Sequence, residues 1–467
     1  MKNNNLFKSI LALLFTFVVI SNLSYAQTGQ QEQFSKVKIY AKSLTDYQRL
    51  SFSGLIIDGG IGKPGEYFET WLSTTELHQL QYSGVPYEIL IQDWKTYYES
   101  LPTMSSADIE AALLKSKQMY NVSHNIMGSM GGMLTYDQVN AKLDSMRLEY
   151  PNLISTKWSI GTTYENRNMW CVRMSNSPNA PTGRPEVFLF GVTHAREGNG
   201  MECIIYYMYW LLENYNIDPL ATYILNNREI YIVPIYNVDG YVYNQTSNPN
   251  GGGMWRKNRK PCSGSTGTDL NRNYGIYQYW NSSNGGSSTS CSSDTYRGTS
   301  PNSEPETQAF VNFLHSRNFK TAISYHTYGN DLLRPWEWCD PIGTPDSSTF
   351  KEWQKDMTKD NHYSYGTCYS LLGYYSRGDA LDQLYNDSAH GKILGLTPEV
   401  GSDFWPPQSE IMPNVQKNLW MCQYMSMTAG AFVNPVSNNL NKDVYSAGET
   451  GNLKVVFRNK GLADAQN

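Results

Sequence analysis

The chain lacks a strong excess of charge of either sign. Its 37 Lys and Arg stand against 42 Asp and Glu, a formal net charge of −5 over 467 residues, so nothing in the balance argues for a nucleic-acid partner. Its seven cysteines are scattered and no two form a C-x-x-C pair, which argues against a thiolate zinc knuckle. No internal repeat is visible. Past the N-terminus no apolar run is long enough to cross a membrane. The length suits two to four domains with a sizeable core.

The one concentrated apolar stretch is at the start. Lys2 and Lys8 flank a short basic region, residues 10–20 are apolar, and Ser24-Tyr25-Ala26 ends on a small residue. This pattern predicts a secretory signal peptide over residues 1–26. The mature chain then begins near Gln27, in a compartment where disulfides persist.

Residues 35–98 alternate strand and helix signals. Period-two alternation begins at Val37, strands are expected at 53–57, 67–72 and 87–91, and helices open near Leu44 and Thr74. The order βαββαβ predicts a ferredoxin-like antiparallel sandwich. Its one histidine, His78, lies on a polar helix face and reads as solvated. A connecting helix and linker follow over 99–118, with Lys115 and Lys117 as exposed basic sites for processing. Thr135 and Gln138 form a capping box for a helix that buries Val139, Leu143 and Met146. Strands at 156–160, 170–174, 186–190, 230–233, 322–325 and 393–396 interleave with helices at 201–213, 303–315 and 413–427. This predicts an α/β domain with a mixed, largely parallel central sheet and helices on both faces. Residues 241–300, rich in glycine, serine and asparagine, read as long functional loops. From 431 to 467 the pattern turns to β, with strands expected near 443–445 and 453–457, as the start of a module that continues further.

Chemistry gathers at the strand ends, where sites form in such sheets. The apolar run Val187-Phe188-Leu189-Phe190 breaks at Gly191 and presents His194 and Glu197. Imidazole and carboxylate are both zinc donors, and a catalytic zinc takes three protein ligands. Alone, His-x-x-Glu also fits a surface ion pair. His326, at the end of another apolar strand, offers a third ligand, although a satisfied core histidine has the same appearance. Glu399 closes the run Leu396-Thr397-Pro398, where a buried carboxylate is costly without a partner or purpose. A carboxylate beside metal-activated water is what a general base requires. Between them, Trp255-Arg256-Lys257 and Asp269-Leu270-Asn271-Arg272-Asn273 bring guanidinium groups able to bind a carboxylate bidentately. The same arginines also read as solvated loop charges.

Taken in order, His-Ala-Arg-Glu at 194–197, Trp-Arg-Lys at 255–257, Asp-x-Asn-Arg-Asn at 269–273, Tyr-His-x-Tyr at 325–328 and Thr-Pro-Glu at 397–399 resemble the M14 zinc carboxypeptidases. The likeness is to the carboxypeptidase A and T types and spans residues 119–430. The resemblance implies a secreted, zinc-dependent enzyme that removes C-terminal amino acids from peptides. It implies His194, Glu197 and His326 as zinc ligands and Glu399 as the base that returns its proton to the leaving amine. It implies Arg256 as the oxyanion donor, and Asn271 and Arg272 as the grip on the substrate's terminal carboxylate. Arg196 would be an auxiliary substrate arginine and Asp269 the carboxylate that orients His194. Tyr374 would close over the substrate, with its neighbour Tyr375 the other reading of that register.

In the specificity loop the resemblance puts Leu381 at the base of the pocket, favouring an apolar terminal side chain. Gly378-Asp379 resembles the T type, where an acid also admits Lys or Arg, and Arg377 stands where it would neutralise Asp379. Broad specificity leaning apolar is the expectation. Residues 27–118 resemble the family's prosegment, implying a monomeric zymogen opened by an activating protease near residues 115–118. The resemblance also suggests a Cys262–Cys291 bridge and a second pair, Cys339 with Cys368, leaving Cys171, Cys203 and Cys422 as buried thiols. Two other readings are a peptidoglycan-peptide hydrolase on the same fold and a non-catalytic adhesion or carbohydrate-binding protein. The second would require loss of a ligand or of the base, and none of those residues is missing.

Overall fold

The computed structural model describes residues 32–339 and 343–465. The expected signal peptide lies outside them. The N-terminal unit comprises β1 (Phe34–Ile39), α1 (Leu44–Phe52), β2 (Ile61–Lys63), β3 (Tyr67–Ser73), α2 (Thr74–Ser83) and β4 (Tyr87–Ile91). The sheet order is β2-β3-β1-β4, antiparallel throughout, which is the expected ferredoxin-like arrangement. Capping boxes start both helices, at Ser43 with Asp46 and at Ser73 with Glu76. Each reciprocally satisfies backbone donors that a helix start leaves open. Residues 53–57 are not the expected strand. The helix runs to Phe52 and a turn follows, so β2 falls after Gly59-Gly60 instead. The turn leaves Asp58 at the tip of a loop.

A short helix, α3 (Trp94–Glu99), and a long one, α4 (Ser106–Tyr120), lead into the second unit. This unit comprises α5 (Tyr136–Glu149), β5 (Trp158–Thr162), β6 (Asn168–Met174), β7 (Glu186–Gly191), α6 (Gly198–Asn214), α7 (Pro219–Asn227), β8 (Glu229–Val233) and α8 (Val238–Ser247). After the two-residue strands β9 (Pro261–Cys262) and β10 (Ser265–Thr266) come α9 (Tyr277–Trp280), α10 (Pro305–His315), β11 (Phe319–Tyr325), β12 (Asp331–Leu333), α11 (Ser347–Met357), β13 (Ser364–Gly366), α12 (Cys368–Leu372), α13 (Ala380–Asn386), β14 (Leu394–Glu399) and α14 (Gln408–Thr428). The eight-stranded sheet has the order β13-β12-β14-β11-β7-β8-β6-β5. Its centre, β14-β11-β7-β8, is parallel, and antiparallel pairs flank that centre. Parallel strands buried on both faces favour unbroken apolar runs, and β7 carries one in Val187-Phe188-Leu189-Phe190, while β11 is buried over most of its length although Lys320, Thr321 and Ser324 interrupt it.

Several elements differ from expectation. The segment read as loops from 241 holds most of α8, whose buried Tyr241 and Asn244 face the site region. Helix α10 starts at Pro305 rather than the expected 303. Glu304 occupies the N-cap position, while Ser303 binds Asn273 and Glu306 accepts from Tyr164 N and Asn258. Helix α14 begins five residues before Pro413 and carries it inside. Residues 443–445 form no strand. The C-terminal segment is a two-stranded ribbon, β15 (Val433–Leu440) against β16 (Leu453–Asn459). Cys262 and Cys291 form the expected disulfide. Cys339 and Cys368 are buried but are not disulfide-bonded. No helix among the described residues is long and apolar enough to cross a membrane.

The two units share one core. Phe34, Trp71 and Trp94 pack into the main apolar cluster with residues of the second unit. Polar bonds fix the seam: Trp71 Nε1 donates to Asp403 at 2.8 Å, Lys36 reaches the same carboxylate at 3.1 Å, and Trp94 Nε1 donates to Gly252 O at 2.7 Å.

Candidate active site

The chain turns sharply where β7 ends. Val192 sits at φ +55°, a left-handed conformation that a β-branched residue adopts only under strong constraint. Ala195 N donates to Arg256 O at 2.9 Å, and Asn237 Nδ2 bridges Thr193 O and Arg256 O at 3.2 Å each. These bonds draw the 194–197 loop against the 255–257 segment. On the other side, the last ladder contacts of β11 and β14 pair His326 with Glu399. Gly200 permits this convergence. A Cβ there would come within 2.8 Å of Tyr325 Cβ, so α6 could not approach the end of β11 as closely.

His194, Glu197 and His326 meet as expected. Their ligand atoms all lie within 4.8 Å of one another, and all three residues are buried. His194 Nδ1 is 2.7 Å from Glu197 Oε1, and His326 Nδ1 is 2.9 Å from Glu197 Oε2. The outward nitrogens face polar groups: Asp269 Oδ1 lies 3.3 Å from His194 Nε2, and Ser324 Oγ is within hydrogen-bond distance of His326 Nε2 at 3.1 Å. Such outer contacts fix ring orientation at metal sites. Asp269 was expected there; Ser324 was not. The donor set fits Zn²⁺, with two imidazoles and one carboxylate leaving a fourth position open. Burial works against the ionised form of Glu197, but the two histidines outweigh it and hold that carboxyl well below the usual range.

Arg256, Asn271, Arg272, Tyr374 and Glu399 line the same cavity. Arg256 grips Asp269 through Nε and Nη2, at 3.1 and 2.8 Å. Its Nη1 is 3.8 Å from Glu197 Oε1. Burial and the neighbouring Glu197 carboxylate push the Glu399 carboxyl far above its ordinary value. Asn271 is held by Asp379, which accepts its Nδ2–H at 2.7 Å.

The residue that sequence reasoning missed is Asp58. Its loop from the N-terminal unit enters the cavity, and one carboxylate bridges two buried guanidinium groups. Oδ1 is 2.8 Å from Arg272 Nη2, and Oδ2 is 2.5 Å from Arg256 Nη1. Next to it, Gly59 N donates to Tyr374 Oη at 3.1 Å. Tyr374 is therefore the residue facing the cavity, while Tyr375 stacks on Tyr369 with centroids 4.7 Å apart. A single aspartate in a glycine-rich turn carries no local signal of this role.

Three expectations change in detail. Arg196 does not line the cavity; it pairs with Asp294 at 3.2 Å and lies 4.3 Å over the Phe404 ring. Arg377 does not neutralise Asp379. Its guanidinium is engaged by Ser287 and Ser282. Asp379 does reach the cavity, but it also caps α13 and holds Asn271. Leu381 lines the cavity as expected, beside Glu337, which was not foreseen.

A family model described as zinc carboxypeptidase matches residues 139–420. That is more than half of the chain, and it includes the three ligands and every cavity residue named above except those of the Asp58 loop. The chain belongs to the zinc carboxypeptidase family. Among its relatives, mouse carboxypeptidase A2 is 30% identical over 355 residues, covering 73% of this chain and 78% of that protein. Rat carboxypeptidase A1 is 28% identical over 354 residues, covering 73% and 78%. In three dimensions the chain is similar to the carboxypeptidase A of Helicoverpa armigera, with a TM-score of 0.68 at 20% identity over 85% of this chain and 98% of that one. This carboxypeptidase is thus a zinc-dependent hydrolase of peptides, with a His-Glu-His site for one metal ion.

Proposed function

We propose that the chain is an exported, monomeric zymogen whose second unit removes amino acids from the C-terminus of peptides. The residues of the cavity divide the work. His194, Glu197 and His326 would hold the zinc, which when bound supplies a Lewis acid for water and for the scissile carbonyl. Arg272 and Asn271 bind the substrate's terminal carboxylate and set the register, so that only the last peptide bond reaches the reacting centre. Glu399 accepts the proton of the attacking water and later delivers it to the leaving amine. Its raised affinity for a proton suits it to carry one between these steps. Arg256 donates to the oxygen that gains charge as water adds to the carbonyl. Tyr374 closes the cavity over the bound side chain and excludes water.

The observation that carries this reading is the Asp58 carboxylate chelated by Arg272 and Arg256. It stands where a peptide's terminal carboxylate would sit, and it supports residues 27–118 as an inhibitory prosegment. Lys115 and Lys117 are exposed on α4, consistent with cleavage there by a protease once that helix opens locally. The test is release of amino acids from N-blocked dipeptides before and after limited proteolysis, with and without a chelator. Release that needs cleavage, stops with the chelator and falls by about 10²–10⁴-fold in Glu399→Gln is expected. Equal release from the intact and cleaved chains would overturn the zymogen. No release from any plain dipeptide would overturn the exopeptidase in favour of cell-wall peptides.

A further inference from the structure

At the edge of the sheet away from the cavity, three side chains converge that the catalytic reading leaves unused. His315 ends α10, and Asp387 follows the last residue of α13. His315 precedes β11 and His390 precedes β14 by the same short step. Because β11 and β14 are parallel neighbours, both histidines reach one edge, where these strands begin. His194 and His326 lie at the other edge, where strands end.

The three groups face one another. His315 Nε2 is 2.8 Å from Asp387 Oδ2, and His390 Nε2 is 3.9 Å from the same oxygen. The two ring centroids are 5.8 Å apart. Two imidazoles on one zinc, at about 2.0–2.1 Å per Zn–N bond, have centroids roughly 5 Å apart. A small turn of His390 toward Asp387 therefore closes the set. The carboxylate is already held in place. Ala389 N donates to Oδ1 at 2.9 Å and Gln383 Nε2 donates to Oδ2 at 2.5 Å. Ile393 N donates to Leu384 O at 3.0 Å, which pins the loop that carries His390.

An ion pair of His315 with Asp387 does not account for His390. None of its side chain is exposed, yet neither ring nitrogen has a hydrogen-bond partner among the described residues. Gln383 Oε1, on the amide that touches the same carboxylate, is buried and unmatched as well. Buried polar atoms left unmatched cost their full desolvation. Burial outweighs the pull of Asp387 and holds the His390 imidazole below its ordinary value, so the ring is neutral and keeps a lone pair to give. Burial also works against the ionised form of Asp387, but the contacts from His315 and Ala389 N outweigh it and keep the carboxylate charged. Neutral imidazole and ionised carboxylate are the forms in which these groups bind metal.

We propose that His315, Asp387 and His390 form a second metal site, separate from the catalytic one, for a divalent transition ion such as Zn²⁺. Gln383 Oε1 is placed to complete the coordination. The half-exposed His315 gives the ion a way in. Once bound, the ion ties the end of α10 to the end of α13, the helix that carries Leu381 into the cavity wall.

The test is the zinc content of the intact full chain in equilibrium dialysis against a small excess of free Zn²⁺. The wild type is expected to hold two ions per chain, and His315→Asn and His390→Asn one each. One ion in the wild type overturns the site, and so does a second ion kept in either variant. A measurement free of any variant is thermal unfolding of the wild type as Zn²⁺ is added. Its Tm is expected to keep rising past the first equivalent, because an ion that binds the folded chain stabilises it. A Tm that is level beyond the first equivalent overturns the proposal.

Discussion

Arg256 pairs with three carboxylates at once, Asp58, Glu197 and Asp269, and its removal separates two of its roles. Arg256→Ala deletes the oxyanion donor and also leaves Asp269 buried without its main cation. The expected result is a loss of about 10²–10³-fold in kcat, together with weaker zinc retention as His194 loses its orientation. Initial rates alongside metal content after dialysis separate the two effects. Arg256→Lys restores a charge but not the paired contact to Asp269, so it is expected to recover metal content more than rate. A different residue sets pH behaviour. Glu202 is fully buried, accepts from Leu134 N at 2.7 Å, and burial pushes its carboxyl up to about 8. Folded, it holds a proton that the unfolded chain releases near pH 4.5. Its contribution to stability is therefore complete below that pH and is lost as pH rises through about 8. Glu202→Gln is expected to flatten this fall, so that the variant gains on the wild type between pH 5 and 8 in urea midpoints. Parallel pH curves for the two proteins would contradict it.

At the scale of elements, the loop between α1 and β2 deserves a direct perturbation. Asp58→Asn keeps the size and removes the charge that Arg256 and Arg272 share. Arg272 then loses its paired carboxylate while Arg256 keeps Asp269, and breaking a buried pair from one side is costly. The intact chain with this change is expected to show chelator-sensitive activity at least tenfold above the wild-type zymogen, while activity after cleavage stays the same because the prosegment has gone. The 255–300 segment is the second element of note. Its Cys262–Cys291 bridge spans 29 residues, and Lys257 Nζ donates to Cys291 O at 2.8 Å. The bridge thus braces the segment that carries Arg256. Closing a loop of this size is worth about 3–4 kcal/mol in the chain-entropy view. Cys262→Ser with Cys291→Ser is expected to lower the Tm of the holoenzyme by several degrees. An unchanged Tm would show that the polar bonds alone hold the loop.

At the scale of the whole molecule, the five motifs that meet in the cavity lie between residues 194 and 399, yet each falls at a strand end or in a loop beside one. The topology brings those ends together because β14, β11 and β7 are adjacent and parallel. The N-terminal unit closes the open side through Trp71, Trp94 and Lys36. Its removal exposes the Trp71 and Trp94 faces and the acid Asp403. The unit's own core, around Val37, Leu50, Leu72 and Leu80, is separate from the shared one, which suits the proposed departure of the unit after cleavage.

The sequence by itself determined the βαββαβ order, the runs that become β7, β11 and β14, the ligand and base types at their ends, and the Cys262–Cys291 pair through family resemblance. Those follow from local periodicity and from short motifs whose residue types are set by chemistry. It did not determine α8, because glycine and asparagine there mask a helix whose stability comes from packing Tyr241 and Asn244 against the site. Nor did it determine what Arg377 and Ser303 bind, since each finds its partner far along the chain or across a loop. Only the tertiary structure decided that the Asp58 carboxylate bridges Arg256 and Arg272 inside the cavity. A carboxylate's meaning depends on which cations and surfaces surround it, and the two guanidinium groups that meet Asp58 come from Arg256 and Arg272, far along the sequence.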